Sequence, residues 1–394
     1  MIYARVRAAS AAERGDQAMS ALVRVLGTTI VFAVAAASTP LLAKPGDKIA
    51  DSYICVFKPG AVAKTNVRAE ANKAASNGGG HLKHSYQNSI RGFSATMSAS
   101  AAQQAALNNK NVAYCEQDQE VDVIQSDPLV FRALGKPAPP PPPAQTKPWG
   151  ITRVNGGSGS SSATAWVIDT GIDLDHPDLN VDVGRSRSFV RDSSPDDFNG
   201  HGSHVSGIIA AKNNGIGVIG VTPGATLVSV RVLDKNGSGS NSGVIAGVDY
   251  VAGAGHAGDV ANMSLGGGVS QALDNAVVAA AATGVKFTLA AGNESQSATL
   301  HSPARANGPN VYTVSSFAQG DNWSSFSNFG NPPIDFAEPG SSIFSSYKNG
   351  GYATLSGTSM AAPHLAGILL GGAVRSGGTV RGDPSAPADT IGVK

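Results

Sequence analysis

Four polar residues, Asp169, His201, Asn293 and Ser359, follow apolar runs or open helices at places where chemistry would need them. Ser359 lies in Gly357-Thr358-Ser359-Met360-Ala361-Ala362-Pro363-His364, at the predicted start of a helix that runs through Leu370. A helix start offers unpaired backbone N–H groups and a partial positive charge, and both would stabilise an oxyanion forming beside a hydroxyl nucleophile. Pro363 suits the opening of a helix better than its interior. The plain alternative is that Ser359 only caps the helix.

A hydroxyl is inert near neutral pH without a base, and imidazole is the side chain that titrates there. His201 stands in Asn199-Gly200-His201-Gly202-Ser203-His204-Val205-Ser206-Gly207, before a small helix whose apolar side includes Val205, Ile208 and Ile209. The flanking glycines leave room for a substrate. A merely hydrogen-bonded histidine fits His204, inside the helix, better than His201. With such a base, activity falls on acidification.

Asp169 ends the strand-like run Trp166-Val167-Ile168, where a carboxylate is costly without a partner, and the imidazole of His201 would be that partner. Asp173, Asp175 and Asp178 read as solvated turn residues. Asn293 closes Ala290-Ala291-Gly292-Asn293 after another apolar run, and its amide could donate to an oxyanion opposite the Ser359 backbone N–H. A left-handed turn asparagine is the other reading.

Two rival assignments compete with a nucleophilic Asp, His, Asn, Ser set. In an α/β-hydrolase esterase, Gly357 to Ala361 would be a G-x-S-x-G elbow, but Ala361 replaces the last glycine and only His364, Asp383 and Asp389 follow the serine. An inert binding protein on the same fold is the second, although all four positions carry the residue types chemistry needs.

The elements that must position these residues alternate between strand and helix. Beyond Trp149, strand-like runs at 165–168, 227–233, 260–263, 285–291 and 311–314 are continuously apolar, as in a parallel sheet buried on both faces, and residues 242–252 and 271–282 supply helical crossovers. Ligands bind past the carboxyl ends of such strands. Residues 51–123 read as strand, helix, strand, strand, helix, strand, a ferredoxin-like α+β pattern with strands at 53–57, 81–86, 92–97 and 112–116. Its first and last strands would be neighbours, so a bridge between Cys55 and Cys115, the chain's two cysteines, is geometrically conceivable; two small buried residues is the other reading. Residues 139–143 are all proline and form an extended spacer between the two units.

Composition narrows the function classes. A net charge of +1 over 394 residues gives no footprint for nucleic acid or an acidic membrane surface. The apolar run at 25–37 follows Arg24 and precedes small residues, so it reads as a signal peptide within 1–43, with Met19 as a candidate start, and no stable membrane span is expected after processing.

Through Val167-Ile168-Asp169-Thr170-Gly171, residues 200–207, Ala290 to Asn293 and Gly357 to Pro363, residues 149–370 resemble the subtilase family, and within it the proteinase K-like branch; the order Asp, His, Asn, Ser agrees. The resemblance implies a subtilisin-like three-layer α/β domain with a mainly parallel sheet over 149–380, and a secreted serine endopeptidase working through an acyl-enzyme. It implies a substrate clamped as an added strand by Ser238 and Gly239 on one side and Ser264, Leu265 and Gly266 on the other. Residues 266–268 and 290–292, with Ala290 and Gly292, would line the pocket for the side chain before the cut bond; being small and uncharged, they suit medium to large apolar groups. Residues 51–123 resemble the inhibitor-like propeptide of these enzymes, with a proline-rich linker and the maturation site in 124–148. Implied partners are protein or peptide substrates and the chain's own propeptide, acting on a monomer. No cofactor is required for the chemistry. Relatives often bind structural calcium, but Ala318 stands where the branch has a liganding aspartate, and Asp321 nearby assigns no metal site. After Gly371-Gly372 a Gly, Ser and Pro tail is expected to be loose, lacking a final helix common in relatives.

Overall fold

The computed structural model describes residues 44–124 and 142–394, so the signal-peptide expectation and most of the linker lie outside the described residues. The N-terminal unit runs β1 (Lys48–Phe57), α1 (Val67–Asn77), β2 (His81–Tyr86), β3 (Gly92–Thr96), α2 (Ala99–Asn108) and β4 (Val112–Val123). Its strands are antiparallel in the order β4-β1-β3-β2, the ferredoxin-like arrangement. Cys55 and Cys115 face each other across β1 and β4 and are joined as a disulfide. The inner face of this sheet packs Cys55, Phe57, Phe93 and Ala95 on Val67, Ala71, Ala74 and Ala102 of the two helices.

The larger unit continues with α3 (Trp149–Arg153), β5 (Thr164–Asp169), β6 (Arg187–Ser188), α4 (His201–Ala210), β7 (Thr226–Arg231), β8 (Ser238–Ser240), α5 (Asn241–Ala254), β9 (Val260–Met263), β10 (Leu265–Gly267), α6 (Gln271–Ala281) and β11 (Lys286–Ala290). It ends with β12 (Val311–Ala318), β13 (Asn322–Trp323), β14 (Ile334–Pro339), β15 (Ile343–Tyr347), β16 (Gly351–Leu355), α7 (Thr358–Gly371), β17 (Arg375–Thr379) and β18 (Thr390–Val393). From β6 through β7, β5, β9, β11, β12 and β14 to β18 the central sheet is parallel, with antiparallel strands only at β13 and β17.

Side chains alternate across this sheet and divide the core into two layers. Trp166, Ile168, Val230, Met263 and Phe287 pack on α5 and α6, and Ala165, Val167, Leu227, Ala290 and Val314 pack on α4 and α7. Ile54, Val56, Tyr86 and Val121 of the N-terminal unit join the α5 and α6 layer, so the two units share one core.

Two expectations change. The last strand of the N-terminal unit continues past residue 116 to Val123, because its polar second half pairs with β8 and β10 of the larger unit. The C-terminal tail is also not loose: β17 and β18 form a hairpin, β18 extends the central sheet beside β14, and Ile391 and Val393 are buried with Phe317 and Val380. Strands of five and four residues separated by a Gly, Pro and Asp stretch carry too little periodicity to be seen in the sequence.

The disulfide ties β4, the strand that reaches into the larger unit, to β1. Replacing both cysteines by alanine is expected to lower the stability of the N-terminal unit by about 2–4 kcal/mol. In scanning calorimetry of the whole chain the unfolding transition should move down; an unmoved transition would contradict this.

Candidate active site

β5 is buried at every residue and delivers Asp169 at its carboxyl end. There Asp169 Oδ1 accepts from His201 Nδ1 at 2.8 Å and from the Thr170 backbone N–H at 2.7 Å, and both Asp169 and His201 are fully buried. The carboxylate thereby fixes the proton on Nδ1 and leaves Nε2 as the basic nitrogen. His201 Nε2 has no hydrogen-bond partner.

Two glycines make this approach possible. Gly200 caps α4 with φ +112°, in the left-handed region, and a Cβ there would strike the Tyr347 ring; a Cβ on Gly202 would strike the Gly171 carbonyl and crowd Asp169. Asp197, which the sequence reading left out, anchors the turn: its Oδ1 accepts from Gly200 N at 2.7 Å and Thr170 Oγ1 at 2.9 Å, and its Oδ2 from Ser203 N at 2.9 Å. The signal was present as a carboxylate shortly before a predicted helix start.

Ser359 sits in the first turn of α7, buried, and its Oγ donates to the Ser264 carbonyl at 3.0 Å. The Ser359–His201 hydrogen bond is therefore not formed in this state, and α4 and α7 are held side by side in the same apolar layer. Asn293 is oriented by Thr358, whose backbone N–H and Oγ1 both donate to Asn293 Oδ1, at 2.9 and 3.0 Å. That leaves Asn293 Nδ2, also buried, as a donor with no partner.

The end of β4 runs through the cleft beside these groups. Val121 and Asp122 pair with Gly239 and Ser238 on one side, and Asp122 and Val123 with Gly266 and Leu265 on the other, antiparallel on both. Val123 N donates to Gly237 O at 3.0 Å and Ile124 N to Ser264 O at 3.4 Å, the same oxygen that accepts from the Ser359 hydroxyl. Ile124 packs against Gly266 and, with Gly266, Gly267, Gly292, Glu294, His301 and Ala304, lines a cavity. Gly266 and Gly292 belong to the expected lining, but Ala290 does not: it is packed in the apolar core at the end of β11. Glu294 and His301, 3.5 Å apart, were not foreseen, because only the folding of the long loop after β11 turns both into the cavity.

Three carboxylates hold the N-terminal unit on the larger one. Asp118 accepts from Ser242 N at 3.0 Å at the start of α5, and Glu116 from Ala272 N at 3.3 Å at the start of α6, both helix ends that favour negative charge. Asp249 of α5 in turn accepts from the backbone N–H groups of Gln87, Asn88 and Ser89 at 2.7 to 3.0 Å.

The remaining metal and histidine positions have structural partners. Asp321 is held by Arg153 Nε at 2.6 Å, a cationic neighbour unsuited to a metal ligand, and Ala318 ends β12. Among the described residues no group of three or more His, Cys, Asp or Glu is placed to hold a metal ion. His204 Nε2 faces the Ile343 and Ala353 carbonyls and His364 Nδ1 the Met360 carbonyl. Burial pushes these imidazoles down to about 3 and about 4.

Comparison with known proteins places this geometry. The subtilase family model matches residues 160–370, and that of peptidase inhibitor I9 matches residues 52–123. Alkaline serine exoprotease A of Vibrio alginolyticus is 40% identical over 354 residues, which are 84% of this chain and 62% of that protein's length. Subtilisin-like protease 7 of Arthroderma benhamiae is 36% identical over 342 residues, 81% of each chain. The crystal structure of a cold adapted subtilisin-like serine proteinase matches with a TM-score of 0.53 and 39% identity, covering 62% of this chain and 96% of that one.

Below about pH 6.5 the unfolded chain takes up protons that the buried imidazoles of His204 and His364 refuse, so their contribution to stability is present above that pH and is lost as the pH falls toward 4. His364→Gln is expected to flatten the fall of the denaturation midpoint between pH 7 and pH 4; an unchanged slope would show that His364 does not carry it.

Proposed function

The chain belongs to the subtilase family of serine proteases and carries an inhibitor I9 segment, and from that membership we propose that it is a secreted serine endopeptidase made as a self-processed zymogen. The observation that carries this reading is the shared acceptor at Ser264: a main-chain N–H in the position of a substrate's and the hydroxyl of Ser359 meet on one carbonyl oxygen. A peptide bound in this way presents the carbonyl that follows that N–H to Ser359.

In the proposed reaction Ser359 Oγ leaves the Ser264 carbonyl, passes its proton to His201 Nε2 and attacks the peptide carbonyl. Asp169 stabilises the imidazolium, and Asn293 Nδ2 with the Ser359 backbone N–H donates to the oxyanion. Collapse of the tetrahedral intermediate breaks the C–N bond, with the His201 proton going to the leaving amine. A water molecule, deprotonated by His201, then hydrolyses the acyl-enzyme. No metal or cofactor takes part in these steps, and calcium is assigned no ligands.

Ser238, Gly239, Ser264, Leu265 and Gly266 would bind substrate through the main chain, which gives affinity with little demand on sequence. The small, uncharged glycines of the cavity beside Ile124 would favour apolar groups before the cut bond, with Glu294 also in its lining. The I9 segment would act as its own inhibitor, and the register of Ile124 supports cleavage between Ile124 and Gln125. The processed enzyme would act as a monomer on protein or peptide substrates in the extracellular space or the periplasm.

Three measurements test this. Ser359→Ala should abolish both fluorophosphonate labelling and hydrolysis of a denatured protein, and persistence of either would refute the assignment. Asn293→Ala should lower kcat about 10²- to 10³-fold, the loss known for such a donor in a subtilisin, with labelling still at Ser359. N-terminal sequencing of the first product formed by the wild type should begin at Gln125; a first cut elsewhere would overturn the proposed register.

A further inference from the structure

On the face of the central sheet that packs against α7, most side chains are apolar, among them Val167, Val260, Ala290 and Val314. Three polar side chains interrupt that layer in a continuous line. Thr288 in the middle of β11 donates from Oγ1 to Asn262 Oδ1 at 2.9 Å, directly across the parallel β9–β11 pairing. Asn262 Nδ2 donates to Ser264 Oγ at 2.8 Å, and Ser264 Oγ donates to the main-chain carbonyl of Ser359 at 2.8 Å. Thr288 and Ser264 are fully buried, and Asn262 is 1% exposed.

The direction of these bonds is determined at every step. Ser359 O can only accept, so Ser264 Oγ donates to it and accepts from Asn262 Nδ2, which leaves Asn262 Oδ1 turned to Thr288 with the Thr288 hydroxyl as its donor. Without the Thr288 hydroxyl, Asn262 Oδ1 is buried with no donor, and the amide loses the bond that seats its NH₂ on Ser264. Apolar side chains of similar shape would fill this layer without the cost of burying polar groups, so core packing alone does not call for the line.

Ser264 therefore holds Ser359 twice: its side chain binds the Ser359 carbonyl, and its carbonyl takes the Ser359 hydroxyl. We propose that Thr288 and Asn262 are positioning residues for Ser359, acting through Ser264 to set the backbone of the nucleophile and with it the oxyanion-facing N–H. The inference rests on the nucleophilic role of Ser359. A displacement of tenths of an ångström there would reach kcat and leave the main-chain clamp on substrate unaffected.

Thr288 touches no substrate and can be exchanged almost isosterically. In the processed enzyme assayed on a peptide anilide, Thr288→Val is expected to lower kcat about tenfold with KM within about twofold, and Thr288→Ser, which keeps the hydroxyl, to retain wild-type kcat. The rate of fluorophosphonate inactivation should fall in parallel for Thr288→Val alone. If Thr288→Val fails to fold, Thr288→Ala against Thr288→Ser provides the same contrast.

Equal kcat in the hydroxyl-lacking variant and the wild type would overturn the proposal, as would an equal loss in the valine and serine variants or a change confined to KM. Each of these outcomes leaves the wild type active and Ser359→Ala inactive, so they are distinct from a failure of the proposed function itself.

Discussion

A carboxylate with no access to solvent must be answered by a partner, and in this chain the answer is the 2.8 Å hydrogen bond from His201 to Asp169. Much of the local architecture follows from that requirement. β5 must end where α4 begins, so the chain between them turns back through a loop anchored by Asp197, and residues 200 and 202 must be glycine for the imidazole to come close enough. The bond also decides which imidazole nitrogen carries a proton, and so leaves Nε2 basic and unpaired beside the helix that carries Ser359. In the described state the Ser359 hydroxyl rests on Ser264, and on the proposed reading a rotation about its Cα–Cβ bond brings it to His201.

The second organising feature is main-chain pairing. β4 belongs by sequence to the N-terminal unit, yet its last residues complete a sheet with β8 and β10 of the larger unit. Backbone bonds of this kind are indifferent to side-chain identity, and register must come from elsewhere. Asp118 and Glu116 supply it by seating on the starts of α5 and α6, while the disulfide holds β4 to β1. An inhibitor that occupies the cleft in the manner of a substrate needs such outside anchoring to remain after its own bond is cut.

The sequence made the parallel sheet legible because its strands are continuous apolar runs, and the ferredoxin-like unit legible because strand and helix periods alternate. Asp169, His201, Asn293 and Ser359 stood out because each is a polar residue at the end of an apolar run or at a helix start. What escaped notice depended on contacts between segments remote in sequence. Residues 117–120 of β4 are Gln, Asp, Gln and Glu, a polar break that interrupts the strand pattern before Val121 and Val123. His301 and Glu294 meet in one cavity only through the folding of a long loop, and Ala290 faces the core although its neighbour Gly292 faces the cavity. Thr288 and Asn262 read as ordinary strand residues; only the parallel register of β9 and β11 brings them together.

The most direct test of the central claim is a crystal structure of the processed enzyme after reaction with a fluorophosphonate. Phosphorus is expected on Ser359 Oγ, with that oxygen displaced from the Ser264 carbonyl and within hydrogen-bond reach of His201 Nε2, and the phosphoryl oxygen about 3 Å from Asn293 Nδ2. An adduct on another residue, or a phosphoryl oxygen turned to solvent with Asn293 Nδ2 still unpaired, would contradict it.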